Sequence, residues 1–203
     1  MEILSVGARS DMIYGRRRGR RLRPGREQLL HDLLPKVEVK LSEVSSTPTN
    51  LFEGSVHDLW LEIGFGSGEH LAAQAVTHPE IGIIGCEPYR NGVAALLARI
   101  KGNDLKNIKI YPDDARMLLD ALPSCSIGRA FVLFPDPWPK ARHHRRRIIN
   151  SELLLTLAHI LKPGGELRLA SDNMEYVRRM LYCTLDHGGY EWLARRPEDW
   201  CQR

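Results

Sequence analysis

The stretch LWLEIGFGSGEHLAAQAV, residues 59–76, decides the fold. A short apolar run over residues 59–63 is followed at once by the glycine turn, Gly64–Phe65–Gly66–Ser67–Gly68, and Leu71–Val76 then has a helical pattern. Glycines between a buried strand and a helix are typical of the ligand-binding turn of an open α/β sheet. We therefore predict a strand, a glycine turn and a helix here, with a ligand site at the turn.

Alternating strands and helices continue from this unit toward the C-terminus. Further strands are predicted at 81–86, 107–111, 128–134 and 166–170, with a sixth candidate at 190–194. Helices are predicted at 28–35, 90–101, 115–122, 148–161 and 175–187. This alternation predicts an α/β fold, a doubly wound, mostly parallel Rossmann-like sheet with helices on both faces. The 203 residues are predicted to form a basic flexible arm, 1–27, and one domain, 28–203.

Acidic residues occur at or just after the ends of the first five predicted strands. They are Glu62, Glu87, Asp114, Asp136 and Asp172. In sheets of this type, ligands bind outside the carboxyl ends of the strands. Each acid by itself could be a helix N-cap or a solvated turn residue. Five acids at five strand ends indicate a single site.

The spacing of the glycines distinguishes two cofactor classes. A dinucleotide fingerprint is GxGxxG, whereas this turn has GxGxG directly after Glu62. An acid there would repel a pyrophosphate but would suit a cationic ligand such as S-adenosylmethionine. Glu87 is placed to accept hydrogen bonds from the ribose, and Asp114 is placed to reach the adenine amino group. The glycines predicted to contact this cofactor are Gly64, Gly66 and Gly68.

Positive charge is concentrated in two segments that contain no acid. Seven arginines lie between residues 16 and 26, and five cations lie between 140 and 147, although the net charge of the chain is only +4. A solvated surface would mix the two signs, so the segments predict a polyanionic partner, with nucleic acid favoured. No obligate protein partner is evident, and the sequence does not give the oligomeric state.

Other classes of protein are disfavoured by composition. No apolar run is long enough to span a membrane, and residues 1–10 lack the pattern of a secretory signal, so we expect a cytoplasmic protein. The four cysteines form no CxxC pair and are interpreted as free thiols. The eight histidines show no HExxH spacing, so no metal site is predicted.

The fourth predicted strand leads into FVLFPDPWPKARHHRRR, residues 131–147. Asp136 lies between Pro135 and Pro137, next to Trp138, and the basic segment follows directly. Turn chemistry alone explains the prolines, but not an acid, a tryptophan and five cations at one strand end. Trp138 is expected either to line a pocket or to brace the turn, and the sequence leaves both readings open.

With these motifs the chain resembles the bacterial tRNA (guanine-N7-)-methyltransferase family. The resemblance covers essentially the whole chain and lies in residues 61–71, 85–93, 113–115, 134–147 and 161–173, with a similar basic segment at 16–25. It implies methyl transfer from S-adenosylmethionine to N7 of a guanine in the variable loop of tRNA. The family's Thr-x-x-Glu element near the C-terminus is not found here, so the last antiparallel strand is expected to be missing from this chain.

The family also implies roles for individual residues. Glu62, Glu87, Asp114 and Asp136 would contact the cofactor, and Asp136 would be the catalytic residue. The residues implied in substrate binding are Lys140, Arg142, His143, Arg145, Arg146, Arg147 and Asp172.

Guanine N7 has a lone pair and no proton to lose, so the chemistry needs positioning rather than a strong base. We hypothesise that Asp136 accepts hydrogen bonds from N1–H and the amino group of guanine. Asp172 could equally fill this role. Two other functions remain open: an adenine amino-methyltransferase acting on nucleic acid, and a non-catalytic RNA-binding protein on a methyltransferase scaffold. An NAD-dependent enzyme fits the glycine spacing least.

Overall fold

The computed structural model describes residues 17–196. Five parallel strands form one sheet in the order β3-β2-β1-β4-β5, so the strand order reverses between β1 and β4. The strands are β1 (Asp58–Ile63), β2 (Ile81–Cys86), β3 (Ile108–Tyr111), β4 (Ile127–Leu133) and β5 (Leu161–Ala170). This arrangement confirms the predicted fold class.

The helices lie on both faces of the sheet. They are α1 (Pro24–Asp32), α2 (Leu34–Val37), α3 (Glu69–Thr77), α4 (Arg90–Asn103), α5 (Ala115–Ala121), α6 (Ser151–Ile160) and α7 (Met174–Asp186). Short 3-10 helices cover Leu41–Glu43, Pro48–Leu51 and Ala141–Arg146. Within residues 17–196, none of the helices is both long enough and apolar enough to cross a membrane.

Alternate residues of β1 supply two separate apolar cores. Leu59 and Leu61 pack with α5, α6 and α7 on one face of the sheet. Trp60 packs with α3 and α4 on the other face. Since successive side chains of a strand point to opposite faces, the apolar run Leu59–Leu61 requires helices on both faces. This double burial fixes where the carboxyl end of β1 lies.

Three sequence predictions about element boundaries are corrected. The helix predicted at 28–35 begins at Pro24, and a second short helix includes Pro35 in its first turn, where proline is tolerated. Residues 190–194 form no strand; instead the Tyr190 hydroxyl donates a hydrogen bond to the Leu154 carbonyl at 2.7 Å. β5 begins at Leu161 because residues 162–165 bulge out between its pairings with Ile127 and Arg129.

The described part of the predicted arm contacts the domain along α4. The Gly19 amide donates to Asn91 Oδ1 at 3.1 Å, and Arg26 Nη1 donates to the Ala94 carbonyl at 3.1 Å. Residues 1–16 and 197–203 lie outside the described residues, so the proposed division into arm and domain stays a prediction.

Candidate active site

The glycine turn joins β1 to α3 in a left-handed backbone conformation. The φ angles of Gly64, Gly66 and Gly68 are 74°, 56° and 72°. Only glycine adopts such angles without a steric penalty. The three glycines therefore form a tight turn whose backbone amides lie at the carboxyl end of β1.

Glu87, just after β2, ties this turn to the neighbouring strand. Its Oε2 accepts a hydrogen bond from the Gly66 amide at 2.8 Å, and its Oε1 accepts one from the Tyr89 amide at 2.9 Å. Burial raises the pKa of the Glu87 carboxyl, the two amides oppose that shift, and the charge of Asp136 adds to it. Glu87 and Asp136, which follow β2 and β4, line the same cavity.

Close packing under the turn depends on another glycine. Gly92, in the first turn of α4, lies against the Gly66 carbonyl, and a Cβ at residue 92 would come closer than 3.0 Å to that oxygen. The Gly66 backbone is thus held by Glu87 from one direction and limited by α4 from another.

Glu62 is nearly fully buried and pairs with a histidine that the sequence analysis did not single out. His70 Nδ1 lies 2.7 Å from Glu62 Oε2, and the His70 ring meets Phe131 edge-on at a centroid distance of 4.8 Å. His70 lies in the first turn of α3, directly after the glycine turn. The position of His70 in the sequence could have indicated its pairing with Glu62, because the first turn of the helix after the glycines faces the end of β1.

Asp114 is the N-cap of α5, which is one of the two structural roles that the sequence analysis left open for each acid. Its Oδ1 accepts from the Arg116 amide at 3.0 Å, and its carboxylate is paired with the Arg116 guanidinium. Partial burial acts to raise the pKa of Asp114, but the bonds from Arg116 outweigh it and lower that pKa. Asp114 is consequently an ionised carboxylate. Beside it, Asp113 forms an ion pair with Arg17 at 2.9 Å.

After β4 the chain turns sharply through the proline-rich segment. Phe134 and Trp138 both have positive φ angles, 51° and 43°, which bulky residues rarely adopt. Asp136 is exposed between them. The Trp138 ring contacts the Arg146 guanidinium, 5.0 Å from its centroid, and meets the His143 ring edge-on at 5.8 Å. Trp138 therefore braces this turn.

A cavity of about 530 Å³ lies at the carboxyl edge where the strand order reverses. The predicted site residues that line it are Gly64, Gly66, Glu87, Asp114, Asp136, Arg145, Arg146 and Arg147, together with Trp138. Trp138 thus combines both of its interpretations, as a pocket residue and as a brace. Ligand cavities for small molecules span about 300–1,000 Å³. This cavity is therefore large enough for a nucleoside-sized ligand.

Several predicted site residues do not line this cavity. They are Glu62, Gly68, Lys140, Arg142, His143 and Asp172. Glu62 lies in β1 just before the turn, and Gly68 ends the turn as the N-cap of α3. Lys140, Arg142 and Asp172 are exposed around the site. Desolvation, followed by the charges of the neighbouring cations, lowers the pKa of His143. His143 is therefore a neutral member of the basic segment at neutral pH.

Arg147 differs from the other cations of its segment because it is only 5% exposed. Its Nε donates to the Pro137 carbonyl at 2.8 Å, and its Nη1 and Nη2 bind the Glu175 carboxylate at 2.9 and 2.6 Å. Its guanidinium also lies over the Tyr176 ring. These bonds anchor the proline-rich turn to α7, and the expected contact of Arg147 with RNA stays a prediction.

The fold and the sequence define the class of the protein. Residues 57–200 match the family model described as "Putative methyltransferase". The fold is also similar to that of a solved structure described as "Structure of an Antibiotic Related Methyltransferase". The two share 17% sequence identity and a TM-score of 0.54 over 77% of this chain and 79% of that one. The chain is a methyltransferase with a Rossmann-like sheet.

Closer relatives give the particular family. The tRNA (guanine-N(7)-)-methyltransferase of Paramagnetospirillum magneticum is 49% identical over 97% of this chain and 86% of its own length. That of Rhodospirillum rubrum is 47% identical over 94% of this chain and 76% of its own length. The chain belongs to the tRNA (guanine-N(7)-)-methyltransferase family.

Proposed function

We propose that this protein transfers the methyl group of S-adenosylmethionine to N7 of a guanine in tRNA, in the cytoplasm. The observation that carries the proposal is the position of Asp136. This acid begins the segment that leads into the basic residues, and it lines the same cavity as the glycine turn, Glu87 and Asp114. Family membership supports the same reaction.

The chemistry of the cavity fits a nucleoside that carries a positive charge. Each carboxylate oxygen of Glu87 accepts one backbone hydrogen bond and has a further lone pair for a ribose hydroxyl. Asp114 is ionised beside the cavity and is oriented by Arg116. Glu62, held by His70, supplies negative charge under the turn. S-adenosylmethionine, when bound, supplies a methyl group on a cationic sulfur that needs no acid or base for its transfer.

Guanine has to present N7 to that methyl group, so its opposite edge must be held. The exposed Asp136 carboxylate can accept hydrogen bonds from N1–H and the exocyclic amino group. Carboxylate acceptors form stronger hydrogen bonds than neutral groups do. The methylated base is cationic, and a carboxylate beside it stabilises the charge that develops. Asp136 suits this role better than Asp172, because only Asp136 lines the cavity.

The exposed cations at the rim suit a phosphate backbone. Lys140, Arg142 and Arg145 are exposed on and beside the 3-10 helix Ala141–Arg146, which follows directly from the Asp136 turn. Arginine and lysine position nucleic acid through phosphate contacts that carry no sequence information. The basic rim would therefore position the RNA, and the cavity would select the base.

Incubation with unmodified tRNA and labelled S-adenosylmethionine tests the proposed function. We expect one labelled product that cleaves at N7-methylguanine in the variable loop, and no label in a tRNA whose target guanine is changed to adenine. Labelled N6-methyladenine would instead establish the adenine methyltransferase. A lack of S-adenosylmethionine binding in calorimetry would indicate the non-catalytic scaffold.

Arg145 and Arg147 are expected to respond differently to replacement by alanine. Arg145→Ala should reduce the slope of log K for tRNA binding against log salt by about one phosphate contact, roughly 0.7–0.9, because Arg145 is exposed at the rim. Arg147→Ala should instead lower the free energy of unfolding by about 1–3 kcal/mol, because it leaves the Pro137 carbonyl without its donor.

Binding titrations at several salt concentrations and denaturant unfolding measure these two effects. Lys101→Ala removes the same charge from an exposed site in the last turn of α4 and should change neither quantity. A loss of stability in Arg145→Ala, with an unchanged salt slope, would contradict the proposed division of roles.

A further inference from the structure

Phe134 is an exposed aromatic residue at the mouth of the cavity. Its side chain belongs to the cavity wall yet is 65% exposed. Phe131, three residues earlier in β4, is almost completely buried and packs against Trp60 and His70. Two phenylalanines so close in sequence therefore have opposite environments. Phe134 makes no contribution to either apolar core.

The backbone holds Phe134 in this exposed position. Its φ angle of 51° is in the left-handed region, and its amide donates a hydrogen bond to the Ala170 carbonyl of β5 at 2.8 Å. A positive φ at a bulky residue persists only where the surrounding structure imposes it, and such residues cluster at functional sites. The conformation keeps the ring at the cavity and away from the sheet.

Among residues 17–196, no other aromatic ring stacks on the Phe134 ring and no guanidinium lies over it. The neighbouring aromatic residue in the turn, Trp138, already contacts Arg146 and His143. Phe134 is thus the ring of this turn whose face is available to a ligand. It lies two residues before Asp136 and lines the same cavity.

We propose that Phe134 stacks on the face of the target guanine while Asp136 holds its edge; this inference rests on the proposed function. A base has two kinds of recognition surface, a hydrogen-bonding edge and an apolar face. Enzymes that modify bases read the edge through hydrogen bonds and hold the face against aromatic or apolar side chains. Phe134 and Asp136 supply one contact of each kind on a single rigid turn.

The test compares Phe134→Leu, which removes the aromatic face, with Phe134→Tyr, which retains it. Phe134→Leu should lower kcat/KM for tRNA by about 5- to 150-fold, which is the contribution of stacking one base on an aromatic side chain. Phe134→Tyr should stay close to the wild type. The dissociation constant for S-adenosylmethionine should be unchanged in both variants. Tyr182→Ala, which alters an aromatic residue of similar exposure on α7, is the matched control.

A direct probe is tRNA with 2-aminopurine at the target position, bound in the presence of S-adenosylhomocysteine. Stacking quenches this fluorophore, so the wild type and Phe134→Tyr should give low fluorescence and Phe134→Leu a brighter signal. Equal fluorescence and equal kcat/KM in wild type and Phe134→Leu would overturn the proposal. Equal losses in stability and activity for leucine and tyrosine would overturn it too, by indicating a packing role. If the wild type methylates tRNA at another atom, the proposed function fails, and the fluorescence then still reports whether Phe134 stacks on the base.

Discussion

Replacement of Asp136 by asparagine is expected to lower kcat/KM for tRNA methylation by about 100-fold or more. Each hydrogen bond to a charged acceptor contributes about 1.5–3 kcal/mol. Asparagine has one acceptor oxygen and an NH₂ group, so it cannot accept hydrogen bonds from both N1–H and the amino group of guanine as a carboxylate can. The substitution also removes the negative charge beside the base that becomes cationic. Steady-state kinetics with unmodified tRNA measures the loss. Calorimetry measures cofactor affinity separately, which we expect to change much less.

Asp172→Asn is the control variant for Asp136→Asn, because Asp172 is the other candidate for binding the guanine edge. Asp172 is exposed after β5 and lies outside the lining of the cavity. Its replacement should therefore weaken tRNA binding without removing turnover. Near-normal turnover in Asp136→Asn, together with loss of turnover in Asp172→Asn, would transfer the base-reading role to Asp172.

Gly92→Ala is expected to weaken the binding of S-adenosylmethionine strongly. The new methyl group would come closer than 3.0 Å to the Gly66 carbonyl, a backbone atom that cannot rotate away. Either α4 or the glycine turn has to shift. Overpacking of this kind costs about 1–3 kcal/mol, so the dissociation constant measured by calorimetry should rise about 5- to 150-fold if the turn moves.

Gly102→Ala is the matched control for this change. It introduces the same methyl group in the same helix, at a position where a Cβ would meet nothing within 4 Å. Alanine is favoured over glycine inside helices by about 0.5–1 kcal/mol. Gly102→Ala should therefore raise the free energy of unfolding slightly and leave cofactor binding unchanged. Wild-type affinity in Gly92→Ala would show that the turn does not depend on this contact.

The sequence was sufficient for the sheet and for the acids at its edge. An apolar run before glycines fixes β1, and in a parallel sheet all carboxyl ends meet at one edge, so Glu87, Asp114 and Asp136 could be placed together. The sequence was not sufficient to distinguish the buried Arg147 from the exposed Arg145. Both belong to the same basic run, and only the packing of the turn against α7 buries one and exposes the other.

Tertiary contacts also explain why His70 and Phe134 were missed. The pairing of His70 with Glu62 depends on the angle at which α3 leaves the glycine turn. The exposure of Phe134 depends on a positive φ angle, which a phenylalanine in the sequence does not indicate. Patterns of polarity predict which strand ends matter, but they do not predict side-chain directions inside irregular turns.

The contacts of Gly66 have a consequence for protein engineering. Its amide bonds to the Glu87 carboxylate, and its carbonyl lies against Gly92, so three separate segments of the chain define one short loop. Grafting the glycine turn alone onto another scaffold would transfer its sequence without Glu87 and Gly92, the residues that hold its backbone in place. Transplanting this pocket requires the acid after the second strand and the glycine in the fourth helix as one inseparable module.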